Sequence, residues 1–394
     1  MADRIDPADE AGVIEAVRQA VAKRTPLAVE GRGSKRAMLR PVQAGRTLST
    51  GGLTGITLYR PEEMVLSARA GTPVAEIEAE LARHNQVIPA EPPDLAALFG
   101  HAIPSTIGGM VATNLSGPRR IGPGGALRDQ LLGIRMVTGH AELVRSGGRV
   151  HKNVTGLDLC KLLAGSHGTL GVLTEVTLKL APRPEAGLTV ALPVPGLAQG
   201  VAALSAGLGS PYGVSGAALL PAGWRGSGGP LAVLRLEDFA RFLPRRAEAL
   251  RGLLSSFGAA GLIEGDESAA LWRDLRDAAP LAAAPDQAIW RISVRPSAAP
   301  DLCGRLDQAF EARLLLDWGG GLVWAAGPAT AAAHQAVMAA TAAAGGVFTL
   351  FRAPDPLRVA VPVLPQEAPA LRGIADRVKA ALDPAAVLNP GRMR

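Results

Sequence analysis

Cysteine is nearly absent from this 394-residue chain: Cys160 and Cys303 are its only two, far apart and in no metal-type spacing. That excludes a disulfide framework and fits a reducing compartment. Aromatic residues make up 4%, so Ala, Leu, Val and Gly must fill the interior. The net charge is +6 with a pI near 9.8, but the arginines are scattered, not striped. Basic charge with so few aromatics is a poor nucleic-acid signature. It suits an anionic cofactor, an acidic partner subunit or a membrane surface equally well. No run of about 18 apolar residues occurs, so no helix is expected to cross a membrane. The opening MADRIDPADE has no apolar run either, and no signal peptide is expected. A cytoplasmic location is the expectation.

Several nucleotide and catalytic signatures are missing too. There is no G-x-x-x-x-G-K-[ST] loop, H-E-x-x-H, G-x-S-x-G or Cys/His cluster. Gly31-Arg32-Gly33 lacks the third glycine of a Rossmann fingerprint. What the chain does have is ample apolar content, 48%, and 47 glycines with 31 prolines spread among periodic segments. Its length leaves room for two or three domains.

The chain is organised around Ser105–Arg120, STIGGMVATNLSGPRR. It reads as a helix whose first turn carries Ser105, Thr106, Ile107, Gly108 and Gly109. Met110, Val111, Ala112 and Leu115 point inward, and Gly117-Pro118 stops the helix. Free N–H groups at such a start suit an anion; a buried Gly/Ala helix is the plainer reading.

Upstream, Asp6 and Pro7 predict the start of a first helix, with Val13, Ile14, Val17 and Val21 on one face. Pro26–Glu30 reads as a strand leading into the basic loop Gly31-Arg32-Gly33-Ser34-Lys35. Ile56–Arg60 and Met64–Ala70 read as strands, and Thr72-Pro73 as a helix start. Downstream, Leu131–Thr138 and Glu142–Arg145 read as a strand pair and Asp158–Leu163 as a short helix. A second glycine loop, Gly165-Ser166-His167-Gly168-Thr169-Leu170-Gly171, leads into the strand Val172–Leu180. The composition shifts near Ala181–Pro184, where a domain boundary is expected. Beyond it strands alternate with helices: Leu231–Glu237 and a helix to Ser256, Ala288–Val294 and a helix to Leu314, Gly321–Ala326 and a helix to Ala344. That predicts a sheet covered by helices on one side, with no sequence repeat.

Consecutive N–H groups in Gly31–Lys35 can form an anion nest, with Arg32 and Lys35 adding charge. Ser105–Gly109 offers a second donor cluster and Gly165–Gly171 a third backbone segment. Singly, each is more often just a turn. Their joint order is more specific. With Ala70-Gly71-Thr72, Thr106–Gly109, Gly165–Val172 and Asp383–Gly391 in place, Val29–Leu180 resembles the flavin domain of the vanillyl-alcohol oxidase, or p-cresol methylhydroxylase (PCMH), superfamily. Within it, Gly108–Arg120, Lys152–Leu159 and Lys161–Leu163 are similar to the E subunits of bacterial glycolate oxidases (glycolate dehydrogenases).

The resemblance implies an α+β fold: a PCMH-type FAD-binding domain of two subdomains over residues 1–182, an α/β cap over 183–380, and a tail, 381–394, returning to the first domain. It implies FAD held by Gly31, Arg32, Gly33, Ser34, Lys35, Ser105, Thr106, Ile107, Gly108, Gly109, Gly165, Ser166, Gly168, Thr169, Gly171 and Val172. It also implies a catalytic flavin subunit and an iron–sulfur subunit as partners, and peripheral contact with the inner membrane face through that complex. No histidine lies in Gly31–Arg36, so the FAD is expected to be non-covalent unless His101 or His167 reaches it. Leu157 stands where the subfamily usually has a tyrosine.

The related catalytic dehydrogenases carry histidine motifs in the cap and near the end of the chain. After Leu180 this chain has a single histidine, His334, on an Ala-rich helix. Oxidising a hydroxy acid needs a base or metal and a cation for the carboxylate. Arg291, Arg295 and Arg352 could supply the cation, but no base is visible, and no catalytic or metal-ligating residue is expected. His84, His140 and His151 lie at a helix end or near turns, and Arg119-Arg120 reads as structural or interfacial. The expected function is therefore an accessory, electron-transferring FAD subunit of a glycolate-oxidising complex. A stand-alone 2-hydroxy-acid dehydrogenase and a scaffold with a vestigial pocket are the alternatives.

Overall fold

The computed structural model describes residues 3–122, 124–148, 157–281 and 283–393. His151 and Lys152–Gly156 of the subfamily motif lie outside them. The N-terminal lobe begins with a small parallel sheet, in which Arg46–Ser49 lies between Asp3–Ile5 and Leu27–Glu30. Helix Glu10–Lys23 lays Val13, Ala16, Val17 and Ala20 against it, a one-sided stripe at helical spacing. Asp9 caps that helix, accepting from the Gly12 N–H at 2.8 Å. The expected cap, Asp6, is drawn away by Arg4 at 2.9 Å, and extended backbone at Asp3–Ile5 delays the helix start.

A five-stranded antiparallel sheet follows, in the order Ile56–Arg60, Val65–Arg69, Val172–Lys179, Leu131–Val137, Leu143–Gly147. The central helix rests on it with Ile107, Met110 and Val111 buried. It is shorter than its sequence suggests, spanning only Ile107–Thr113. Asn114 ends it in the left-handed region, φ 49°, and its side chain then accepts from the Arg128 N–H at 3.0 Å. Gly117-Pro118 instead opens a separate turn, Pro118–Ile121.

The C-terminal part builds one eight-stranded antiparallel sheet, ordered Gly261–Glu264, Ala186–Pro193, Leu231–Asp238, Val214–Leu220, Arg313–Asp317, Leu322–Pro328, Gln287–Ser293, Val347–Arg352. Each half is a strand–helix–strand–strand–helix–strand unit, and the halves meet at Leu219 and Leu316. This internal duplication is not legible in the sequence. Helices Leu197–Leu208, Leu243–Leu254, Ala299–Phe310 and Ala331–Ala343 cover the face that carries Leu219, Leu234 and Trp290. One helix departs from the one-sided expectation. Gly265–Arg276 packs on the opposite face, where Trp272 Nε1 donates to Thr189 at 2.8 Å and its ring lies 4.6 Å from the Arg235 guanidinium.

That opposite face, bearing Arg235, Glu237, Arg291, Trp324 and Arg352, is turned to the N-terminal lobe. Arg235 bonds Glu91 at 2.8 Å, Arg119 bonds Glu237 at 2.6 Å, and Trp318 Nε1 donates to the Gly117 carbonyl at 3.1 Å. Burial alone would raise the Glu237 carboxyl, but Arg235 and Arg119 hold it down at about 2. The tail then returns to the first sheet, where Leu388 bridges Leu27 in parallel.

Candidate functional site

A cleft of about 390 Å³ opens between the small parallel sheet, the central helix and the tail. Its floor is the loop that leaves the strand Leu27–Glu30. Gly31 must be side-chain-free because a Cβ there would sit 2.3 Å from Thr106 Oγ1, and Gly33 takes φ +85°. The loop's carbonyls are held from behind. Ser49 donates to Gly31 O at 2.9 Å, His101 to Ser34 O at 2.9 Å and Arg392 to Lys35 O at 2.7 Å. Arg358 and Arg392 both donate to Arg36 O, at 3.2 and 3.1 Å. The N–H groups of Arg32 to Lys35 meet no acceptor among the described residues. A loop with its carbonyls tied back and successive N–H groups free is an anion nest.

Lys35 sharpens that charge. Its ammonium is buried against two hydroxyls, Ser105 at 2.9 Å and Ser34 at 3.4 Å, with no carboxylate within ion-pair distance. Burial pushes it down to about 8, with distant Asp94 opposing. An anion in the cleft would restore its charge.

The helix start does not act as expected. Its first N–H groups are already satisfied: Ile107 donates to Thr72 O at 2.9 Å, Gly108 to Ala70 O at 2.8 Å and Gly109 to the capping Thr106 Oγ1 at 3.3 Å. Thr106, Gly108 and Gly109 line the cleft as wall rather than as donors. Ser105 contributes through Lys35, and Ile107 is core.

In the third loop, Ser166, Gly168 and Gly171 line the cleft with His167. The Ser166 hydroxyl is buried without a hydrogen-bond partner. Gly165, φ +87°, shapes the turn behind the wall. Thr169 Oγ1 donates to Ser166 O at 2.7 Å, and Val172 is core. Thus Ser105, Ile107, Gly165, Thr169 and Val172 do not line the cleft.

Among the residues that line it without having been assigned to the site from sequence are Asn389, Arg392, Arg358 and Asp355. Asn389 Nδ2 donates to Val29 O at 3.0 Å and His167 O at 2.8 Å, while Oδ1 accepts from Val29 N–H at 2.7 Å. One side chain thereby staples the first strand to the third loop. Arg358 donates to Leu39 O at 2.7 Å and is paired with Asp355. The L-N-P-G tail motif was the available signal for Asn389 and Arg392.

The two loop histidines separate. His101 Nδ1 accepts from the Ile103 N–H at 3.2 Å, which leaves Nε2 as the donor to Ser34. Both of its nitrogens are therefore taken. His167 is held neutral, at about 3, by burial and then by Arg392. In the C-terminal part, His334 Nδ1 accepts from Trp290 Nε1 at 3.1 Å on the sheet face turned away from the N-terminal lobe. Arg352 donates to the carbonyls of Leu98, at 2.6 Å, and of Ala284, so it is not free for a ligand. Arg295 is exposed. No group of three His, Cys, Asp or Glu is placed to hold a metal among the described residues.

Comparison with known proteins agrees with this architecture. Residues 4–147 match the family model described as an FAD binding domain. Over 385 residues the chain is 38% identical to glycolate oxidase subunit GlcE of Escherichia coli K12, covering 97% of this chain and 96% of that protein. The chain belongs to the GlcE family. A D-lactate dehydrogenase of Archaeoglobus fulgidus is 30% identical over 155 residues, 39% of this chain and 33% of that protein. Among solved structures, an alkyldihydroxyacetonephosphate synthase shares the fold with a TM-score of 0.70 at 16% identity, covering 98% of this chain and 75% of that one.

The match of residues 4–147 to an FAD binding domain poses a direct test of the cleft. A diphosphate carries the charge that the nest and the buried Lys35 lack. The unpartnered Ser166 hydroxyl and the bare Gly108–Gly109 wall leave room and a donor for the rest of a flat ligand. The residues present fit FAD.

Proposed function

We propose that the chain is the FAD-binding, electron-transferring subunit of a glycolate-oxidising complex, working beside a catalytic flavin subunit and an iron–sulfur subunit. The observation that carries the reading is the nest at Arg32–Lys35, open on its N–H side and backed by Lys35, Arg358 and Arg392. In it, Gly31, Arg32, Gly33, Ser34 and Lys35 hold the diphosphate, with Thr106, Gly108, Gly109, Ser166, Gly168 and Gly171 as the walls. Ser105, Ile107, Gly165, Thr169 and Val172 support those walls from behind. The bound flavin would supply two-electron and one-electron chemistry. This chain's own residues bind it, neutralise its charge and close the cleft with the tail.

The accessory role is supported by the surroundings of His334, which is buried on the far face of the sheet and held below its ordinary range by desolvation. It offers no base for an α-hydroxyl. A subunit role is supported by helix Pro369–Leu382, which buries no side chain and leaves Leu371 and Ile374 60% and 50% exposed. No helix among the described residues is long and apolar enough to cross a membrane, so contact with the membrane's inner face would run through partners.

The test is anaerobic addition of glycolate and D-lactate to the purified chain, alone and then with the partner subunits. Bleaching of its flavin bands only after the partners are added is the expected result. Bleaching by substrate alone would make this chain a catalyst and overturn the accessory role.

A further inference from the structure

Helix Pro369–Leu382 is seated at one end only. Lys379 Nζ donates to Thr169 O at 2.6 Å and to Leu388 O at 3.1 Å, and pairs with Asp383 at 2.6 Å. The Leu382 carbonyl accepts from the Gly139 N–H at 2.8 Å, and the Leu382 side chain packs on the core. These contacts pin the last turns of the helix next to Gly168 and Asn389, which line the cleft. Over the first turns, Leu371 and Ile374 stand in solvent.

The exposed pair belongs to one stripe. Leu371, Ile374, Val378 and Leu382 follow one another at spacings of three and four, so they share a face of the helix. Val378 and Leu382 are half-buried, and the same face runs on uncovered through Ile374 and Leu371. Helices in water owe most of their stability to packing of such a face. The exposed Arg372 and Arg377 stand on opposite flanks of the stripe, and Asp376 lies on the far side. An apolar ridge bordered by cations is complementary to an apolar patch rimmed by carboxylates. It is not complementary to itself: a second copy would set arginine against arginine.

We infer that Leu371 and Ile374, flanked by Arg372 and Arg377, form the docking face for the iron–sulfur subunit, whose matching surface is an apolar patch rimmed by Asp and Glu. The inference rests on the proposed subunit role and deepens it by naming the face. Position selects the partner. A subunit seated on this helix lies against the segments that close the cleft proposed to hold FAD, and the acceptor of a flavin's electrons must come close to it. None of the four residues lines that cleft.

The test is a binding titration of the purified full chain with the iron–sulfur subunit and, separately, with the catalytic flavin subunit. The wild type is compared with Leu371→Ser/Ile374→Ser and with Arg372→Glu/Arg377→Glu. The serine pair should weaken binding of the iron–sulfur subunit about tenfold or more. The charge reversals should weaken it severalfold, and more at low ionic strength than at about 0.5 M salt. Flavin content and urea midpoint should match the wild type throughout. Equal affinity of all three proteins for the iron–sulfur subunit overturns the docking face and leaves the subunit role standing. Losses confined to the catalytic subunit, or a wild-type dimer that the serine pair dissolves, overturn the choice of partner. A wild type that binds neither subunit sinks the subunit role itself, and the docking face with it.

Discussion

Lys35 and Asn389 show how single side chains make the cleft. Lys35 is buried beside hydroxyls only, so its proton is loosely held, at about 8. Binding a diphosphate raises its affinity for that proton. Above about pH 8 the ligand-free chain must therefore take up a proton to bind, and FAD affinity is expected to fall as pH rises. A fluorescence titration between about pH 7 and 10 should show that slope in the wild type and a flatter, weaker profile in Lys35→Met. Asn389→Ala removes the bonds to Val29 N–H, Val29 O and His167 O at once. It should cost about 1–3 kcal/mol in urea unfolding and speed loss of flavin.

At the scale of elements, legibility followed local chemistry. The strand before Gly31, the pair around Ser67 and the loop before Val172 were readable because turn glycines and alternating apolar residues flank them. The C-terminal strands Ala186–Pro193, Val214–Leu220 and Arg313–Asp317 were not: each is a short apolar run that long-range pairing, not local pattern, makes extended. The central helix was recognised, but its length and its donors were not. Asn114 ends it early, and carbonyls of Ala70 and Thr72, distant in sequence, satisfy its N–H groups. The glycines there serve close packing instead. A Cβ on Gly108 would lie 2.6 Å from the Ala70 Cβ and 2.9 Å from its carbonyl. Gly108→Ala should therefore destabilise by about 1–3 kcal/mol and lower flavin content together, as read by urea unfolding and absorbance.

Over the whole molecule, a buried charge network joins the N-terminal lobe to the C-terminal sheet. Arg235, 4% exposed, sits between Glu91 and Glu237, and Arg119 closes the set. Replacing Arg235 with Met strands the Glu91 carboxylate, while Glu237 keeps Arg119, and should cost about 3–5 kcal/mol, seen as a lower urea midpoint. The network fixes the seam where Trp318 meets Gly117, while the cleft lined by Arg32–Lys35 lies wholly with the N-terminal lobe and the returning segments around Arg358 and Arg392. We propose that this cleft holds FAD through the Arg32–Lys35 nest. Equilibrium titration of FAD into the flavin-free chain, wild type beside Lys35→Met, tests it most directly. Saturable binding of a single FAD, weakened about tenfold or more by the substitution, is the predicted result. No saturable binding, or equal affinity in both proteins, would contradict it.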